Sequence, residues 1–239
     1  MAVNLKTDLP VDGGLLAWLP SRCLLCGARG GKGFDLCVAC HTDLSRNDRC
    51  CARCALPMES SGALCGRCIR REPPWHAAWA PFRYAYPLDR LEARFKFGAD
   101  LAAGKLLASL WIASRAPGEL PDAIIPVPLH RSRMRSRGYN QALEIAKPLA
   151  KALRIPLWRD ALQRTRATDA QTELSALQRR RNVRGAFVAK FENEIPEHVA
   201  VLDDVFTTGA TLAECARVLK RAGVGRVDAW ALARAPARG

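Results

Sequence analysis

The sequence predicts an α/β protein: a parallel sheet flanked by helices, behind a small cysteine-rich N-terminal module. Three observations carry this. Nine of the ten cysteines fall between residues 23 and 68. From about residue 80, apolar runs of strand length alternate with segments of helical spacing. Near the end, "HVAVL", "TLAECARVLKRAG" and "RVDAWALA" give strand, helix and strand, the pattern of a βαβ unit with parallel strands.

In chain order, the cysteine segment has no long apolar run and cannot bury a core of its own. "REPPWHAAWAP" (71–81) reads as a linker into a strand over 77–86. Residues 88–98 and 101–114 have helical spacing, and "AIIPVPL" (123–129) has the length of a buried strand. Residues 140–153 read as a helix in which Pro148 marks a kink or a break. In the last helix, Leu212, Cys215, Leu219 and Ala222 share one face and Gly223 is the stop. Domain extents of 20–72 and 78–235 follow.

The chain has 239 residues, 49% of them hydrophobic, with a mean hydropathy of −0.10. It is long enough for one substantial core beside a smaller module. No apolar run approaches a membrane span, so membrane insertion is not expected. The first twenty residues carry no long apolar core, so an export signal is not expected and the cytoplasm is the expected compartment. In a reducing compartment, clustered cysteines point to metal rather than disulfides.

Four C-x-x-C pairs occur: Cys23/Cys26, Cys37/Cys40, Cys51/Cys54 and Cys65/Cys68. Ten residues lie between Cys26 and Cys37, and ten between Cys54 and Cys65. Each knuckle offers two thiolates, and two knuckles complete a tetrahedral site. Two structural Zn²⁺ ions are therefore expected, and the metal would supply the folding energy that the segment lacks. The spacing leaves both sequential and interleaved pairing open. "CVACH" (37–41) also matches a haem-attachment signature, but attachment needs export and leaves the other three pairs unexplained. His41 is a neighbour or substitute ligand. Cys50 is an alternative to Cys51, which alone has the two-residue spacing to Cys54. Cys215 reads as a core residue.

The net charge of +14 is concentrated: residues 129–190 hold 15 basic and 4 acidic residues. Such clustering points to a bound anion. Arg131, Arg133, Arg135 and Arg137 alternate, and in an extended segment they would point the same way. Arg164, Arg166, Arg179, Arg180, Arg181 and Arg184 follow. Tyr139 and Trp158 are candidate stacking residues, although lone aromatics more often serve packing.

The most specific stretch is "VAVLDDVFTTGATL" (199–212). A strand running through a turn into a helix aims backbone N–H groups at an anion such as phosphate. Thr207, Thr208 and Thr211 add hydroxyls, and Gly209 permits close approach. Phosphate repels the adjacent Asp203 and Asp204, so these acids must face another part of the ligand. A sugar diol or a phosphate-bound Mg²⁺ fits, which makes this a ribose phosphate site. An N-terminal helix cap needs only one of the two acids. Neither a Walker A loop nor a G-x-G-x-x-G turn is present.

This stretch resembles the phosphoribosyl-pyrophosphate (PRPP) motif of type I phosphoribosyltransferases. With the cysteine module, "PVPLHRSRMRSRGYNQA" and "RTRATDAQTELSALQRRRNVRGAF", the chain over roughly 20–235 is similar to the ComF/GntX family. That family joins a double zinc ribbon to a phosphoribosyltransferase domain, and some members are linked to competence and DNA uptake. The resemblance implies a type I phosphoribosyltransferase-like sheet with PRPP and Mg²⁺ at 203–211. Asp203 and Asp204 would contact the ribose hydroxyls as the catalytic pair. Val205, Thr207, Thr208, Gly209, Ala210 and Thr211 would complete the PRPP site. The turn from about Leu129 would be the pyrophosphate loop, and 164–184 the loop that closes over the site. Arg131, Arg133, Arg135, Arg137, Asn140, Gln141, Arg180 and Arg181 are weaker candidates for pyrophosphate or nucleic acid. No general base and no hood for an acceptor are visible. The sequence leaves three readings open: a phosphoribosyltransferase of unknown acceptor, a single-stranded DNA- or RNA-binding protein with a sensory or vestigial PRPP site, and an adaptor for DNA-uptake proteins.

Overall fold

His198–Phe206 forms the central strand of the sheet, and its first five residues are buried without alternation. A strand covered on both faces reads this way in a parallel sheet. The computed structural model describes residues 21–31, 35–59, 63–167, 176–191 and 194–237. Its elements are α1 (Val38–Thr42), α2 (Gly66–Arg70), β1 (Ala78–Trp79), β2 (Phe82–Arg83), α3 (Leu88–Phe97), α4 (Leu101–Ile112), β3 (Ala123–Pro126) and α5 (Arg131–Arg137). There follow α6 (Gln141–Leu153), β4 (Leu162–Arg164), α7 (Ala176–Val183), β5 (Phe187–Ala189), β6 (His198–Phe206), α8 (Ala210–Arg221) and β7 (Arg226–Arg234).

The main sheet runs β1-β7-β6-β3, with β2 also on β7, and every pairing is parallel. The strand expected over 77–86 is two short pieces. Pro81 has no N–H to extend the ladder, and Asn47 takes over the backbone there, donating from Nδ2 to Ala80 C=O at 3.0 Å. On one face, Trp79 meets Trp111 of α4 and Trp230 of β7 edge-on at 5.4 and 4.9 Å. Helix α6 packs on α4, β3 and β6. It runs unbroken through Pro148, so the expected break does not occur. On the other face, Val199, Val201, Ala229 and Ala231 share a core with Leu212, Cys215 and Leu219 of α8. Ala222 of the expected apolar stripe is half-buried. A separate antiparallel pair, β4–β5, packs beside α8.

The chain gathers into two compact units, Met1–Thr42 and Asp43–Gly239. The first four-cysteine group lies in the former, with Cys23 and Leu36 buried. The second lies in the latter. Cys51, Cys54, Cys65 and Cys68 are buried in the same apolar cluster as Trp75, Val201, Phe206 and Leu212. Residues 43–72 thus obtain from the sheet the burial they cannot provide alone.

Candidate functional site

Parallel pairing of β3 with β6 brings their carboxyl ends together. Pro126 is level with Leu202, and Val127 N donates to Leu202 O at 2.8 Å. The turn at 207–209 and the loop from Leu129 therefore leave the sheet side by side, at the edge where open parallel sheets bind ligands. The turn feeds directly into α8. Gly209 sits there at φ 74°, and a Cβ on it would lie 2.5 Å from the Phe206 ring and 3.0 Å from Trp75. Conformation and packing both demand glycine. Thr208 Oγ1 accepts from Ala210 N at 3.3 Å, while Thr207, Thr208 and Thr211 are all half-exposed at the edge.

Adjacent strand residues face opposite sides of a sheet, and the two acids divide in this way. Asp204 turns towards α3, where Lys96 Nζ meets its Oδ2 at 2.7 Å. Its Oδ1 accepts from Val205 N at 2.6 Å. Asp203 lies on the α8 face, where its charge acts on Cys215 and Arg164. Burial pushes the Asp203 carboxyl up, as does the charge of Asp204, to about 7. Burial also opposes ionisation of Asp204, but Lys96 outweighs it and holds that carboxyl below the usual range. Lys96 is itself opposed by burial, yet Asp204 and Glu92 keep it above its ordinary value.

Glu92 lies one helical turn before Lys96 and is 1% exposed. Neither of its carboxylate oxygens has a hydrogen-bond partner among the described residues. Burial, with Asp204 next, raises it to about 8. Lys96 and Glu92 were not among the sequence candidates. The available signal was a glutamate on the buried stripe of Leu88, Leu91 and Phe95.

The arginine-rich segment is helical rather than extended, which corrects the expectation of one shared direction. His130 caps α5 through Nδ1, accepting from Ser132 N, and Gly138 ends it in the left-handed region. Arg131 and Arg135 are exposed along one side, four residues apart, while Arg133 and Arg137 are half-buried. Arg137 donates to Gln141 Oε1 at 3.2 Å. Asn140 caps α6 and donates from Nδ2 to Val127 O at 3.0 Å, which fixes the start of the loop after β3. Tyr139 donates its hydroxyl to Phe95 O, and Trp158 packs edge-on against Phe191 at 6.0 Å. Both aromatics are packing residues. In the expected closing segment, Arg164 lies over the Phe187 ring at 5.3 Å. Arg166 donates to Asn182 O and Arg184 O, and Arg181 is exposed. Residues 168–175 and the side chains of Arg179 and Arg180 lie outside the described residues.

The cysteines form two sequential sets, Cys23/Cys26/Cys37/Cys40 and Cys51/Cys54/Cys65/Cys68, whose sulfurs all lie within 4.8 Å of one another in each set. This decides against interleaving. The Cys26–Cys37 and Cys54–Cys65 sulfurs are each 3.7 Å apart. A tetrahedral ion with Zn–S bonds of about 2.3 Å separates its ligands by about 3.8 Å, so both sets fit structural zinc. Backbone N–H groups already serve the thiolates: Cys65 N donates to Cys51 Sγ at 3.3 Å, and Cys40 N to Cys37 Sγ at 3.4 Å. All ten cysteines are free of disulfides. Cys50 and His41 stand outside both sets, and Cys215 is fully buried in the core.

Comparison with known proteins agrees with this arrangement. A double zinc ribbon domain family matches residues 15–69. DNA utilization protein YhgH of Escherichia coli O157:H7 is 37% identical over 226 residues, covering 90% of this chain and 98% of the relative. Competence protein F of Haemophilus influenzae is 37% identical over 225 residues, covering 90% and 97%. Competence protein ComFC of Streptococcus pneumoniae is 25% identical over 231 residues, covering 89% and 100%. Among solved structures, a glutamine PRPP amidotransferase from B. subtilis, complexed with ADP and GMP, aligns at 22% identity with a TM-score of 0.35. That alignment covers 54% of this chain and 25% of the amidotransferase, a likeness too slight to carry an assignment.

Proposed function

The chain belongs to the ComF/GntX family, and we propose that its 203–211 edge binds PRPP with Mg²⁺ and that the protein serves DNA uptake and utilisation. One observation carries the first part: two acids on opposite faces of β6 stand immediately before a hydroxyl-rich turn at the N-terminus of α8. A 5′-phosphate would sit against Thr207–Thr211, accepting from backbone N–H groups and hydroxyls. Asp203 and Asp204 would accept from the ribose diol. The hard oxygens of Asp203, Asp204 and the unpartnered Glu92 suit a nearby Mg²⁺, whose chemistry there is to neutralise pyrophosphate charge. Lys96 keeps Asp204 ionised, and therefore an acceptor, before the ligand arrives. With its acceptor unassigned, the protein is proposed as a phosphoribosyltransferase in which positioning and charge stabilisation dominate.

Calorimetry of PRPP with Mg²⁺ tests this, with circular dichroism as the folding check. Wild type binds, and Asp203→Asn/Asp204→Asn weakens binding by tenfold or more, about 1.4 kcal/mol. If wild type shows no heat, the ribose phosphate reading fails.

The exposed pair Arg131 and Arg135 on α5 favours a second, compatible reading, in which single-stranded DNA or RNA lies beside the site. The names of the relatives, competence and DNA utilization proteins, are consistent with it. Oligonucleotide affinity that falls steeply with salt supports it, and salt-independent or absent binding removes it.

A further inference from the structure

We propose that the second four-cysteine site is a brace for the phosphate turn, with Arg234 as its positioning residue. This rests on the reading of 207–211 as a phosphate site. Arg234 ends β7 and is 4% exposed. Its Nε donates to Cys54 O at 3.0 Å, and its Nη1 donates to Phe206 O at 2.9 Å and Thr207 O at 2.6 Å. The guanidinium also lies 4.3 Å from the centre of the Phe206 ring. One buried cation thus joins the carbonyl of a metal-ligating cysteine to the two carbonyls that open the turn.

Two more groups, one bonded to the cysteine region and one within it, reach the turn. Trp75 donates from Nε1 to Arg53 O at 2.8 Å, within the Cys51–Cys54 knuckle. Its ring meets Phe206 edge-on at 5.3 Å and closes over Gly209. Arg67, between Cys65 and Cys68, donates to Thr208 O at 3.5 Å. Contacts from Arg234, Trp75 and Arg67 together therefore fall on each residue from Phe206 to Gly209.

Peptide planarity turns this anchorage into ligand geometry. In a trans peptide the C=O and the following N–H point in opposite directions. Holding the Phe206 and Thr207 carbonyls towards Arg234 therefore directs the N–H groups of Thr207 and Thr208 away from it. Those donors are then oriented before any anion arrives, which removes the cost of ordering them on binding. Zinc at this site fixes the Cys54 end of the brace. Its loss frees that end and lets the turn relax.

Two readouts separate the brace from the ligand. The first is hydrogen–deuterium exchange of amides 205–213 in the full chain without ligand. The second is calorimetry with ribose 5-phosphate, alongside zinc stoichiometry. Arg234→Lys keeps both zinc ions, speeds exchange in 205–213 and weakens ribose 5-phosphate by tenfold or more. Cys65→Ser loses one zinc and does the same, whereas Cys26→Ser loses one zinc and changes neither readout. Unchanged exchange in Arg234→Lys, or equal effects from Cys26→Ser, overturns the brace. If exchange responds but wild type binds no ribose 5-phosphate, the brace stands as a structural link and the phosphate reading falls.

Discussion

The first four-cysteine group leaves Cys26 exposed and Cys37 and Cys40 half-buried, while all four cysteines of the second are buried in the core of the sheet unit. Both groups have the same two-residue knuckles and the same ten-residue interval. The spacing therefore encodes only the local geometry of a metal site. What the site is joined to depends on its surroundings. The second group is followed by Trp75, whose ring enters the core, and meets Arg234 from the far end of the chain. Residues 21–42 contain neither tryptophan nor tyrosine.

The largest effect should come from emptying the two sites one at a time. Cys65→Ser should lower the stability of the sheet unit by more than about 4 kcal/mol, because a closed metal site in its core is lost. Cys26→Ser should leave the main calorimetric transition within about 0.5 kcal/mol of wild type. Equal shifts would abolish the distinction between the two groups. Next, Trp75→Ala should cost about 3–5 kcal/mol as a large aromatic leaves the core. Trp75→Phe should cost about 1 kcal/mol through the lost bond to Arg53. A smaller loss from Trp75→Ala than from Trp75→Phe would mean that packing does not hold the second group in place.

The adjacent acids repeat the contrast within one dipeptide. The carboxyl of Asp203 is raised to about 7, so the folded protein binds more protons than the unfolded chain between the ordinary aspartate value and 7. Stability from this group falls as pH rises through that window. Asp203→Asn should thus stabilise the ligand-free protein at pH 8 by about 1–2 kcal/mol, with the gain shrinking towards pH 4. Asp204 is lowered by Lys96, so its contribution is present at neutral pH and is lost on acidification. Asp204→Asn should destabilise by about 1–3 kcal/mol, since Lys96 is left without its partner. Thermal melts across pH that show the same sign for both variants would contradict the division of the acids between faces. The smallest effect is electrostatic. Arg131→Ala and Arg135→Ala should each reduce the salt slope of oligonucleotide binding by about 1, with folding intact.

The metal-site knuckles, the parallel strands and the strand-turn-helix at 198–221 were legible because each is a local pattern, although the spacing left the pairing of the knuckles open. The α5 helix was not. Alternation of arginine with small or apolar residues suits a strand, and only the His130 cap and the Gly138 stop reveal the helix. The break at Pro81 was readable in principle from its missing N–H. Lys96 and Glu92 stayed hidden because their importance comes from Asp204, over a hundred positions away and brought close only by the packing of α3. The link between the second cysteine group and the turn was hidden in the same way, since Arg234 lies 180 positions beyond Cys54.

That separation has a consequence for synthesis. Strands β1 and β2 both join the main sheet through β7, and Ala77 N donates to Asp228 Oδ1 across 151 positions. Both zinc sites are complete once residue 68 has left the ribosome. The sheet edge beside the second site must wait for the last strand to emerge. A nascent chain stalled before residue 226 would therefore carry its metals while exposing Trp75, Trp79 and Phe82, an open apolar surface for chaperones to cover.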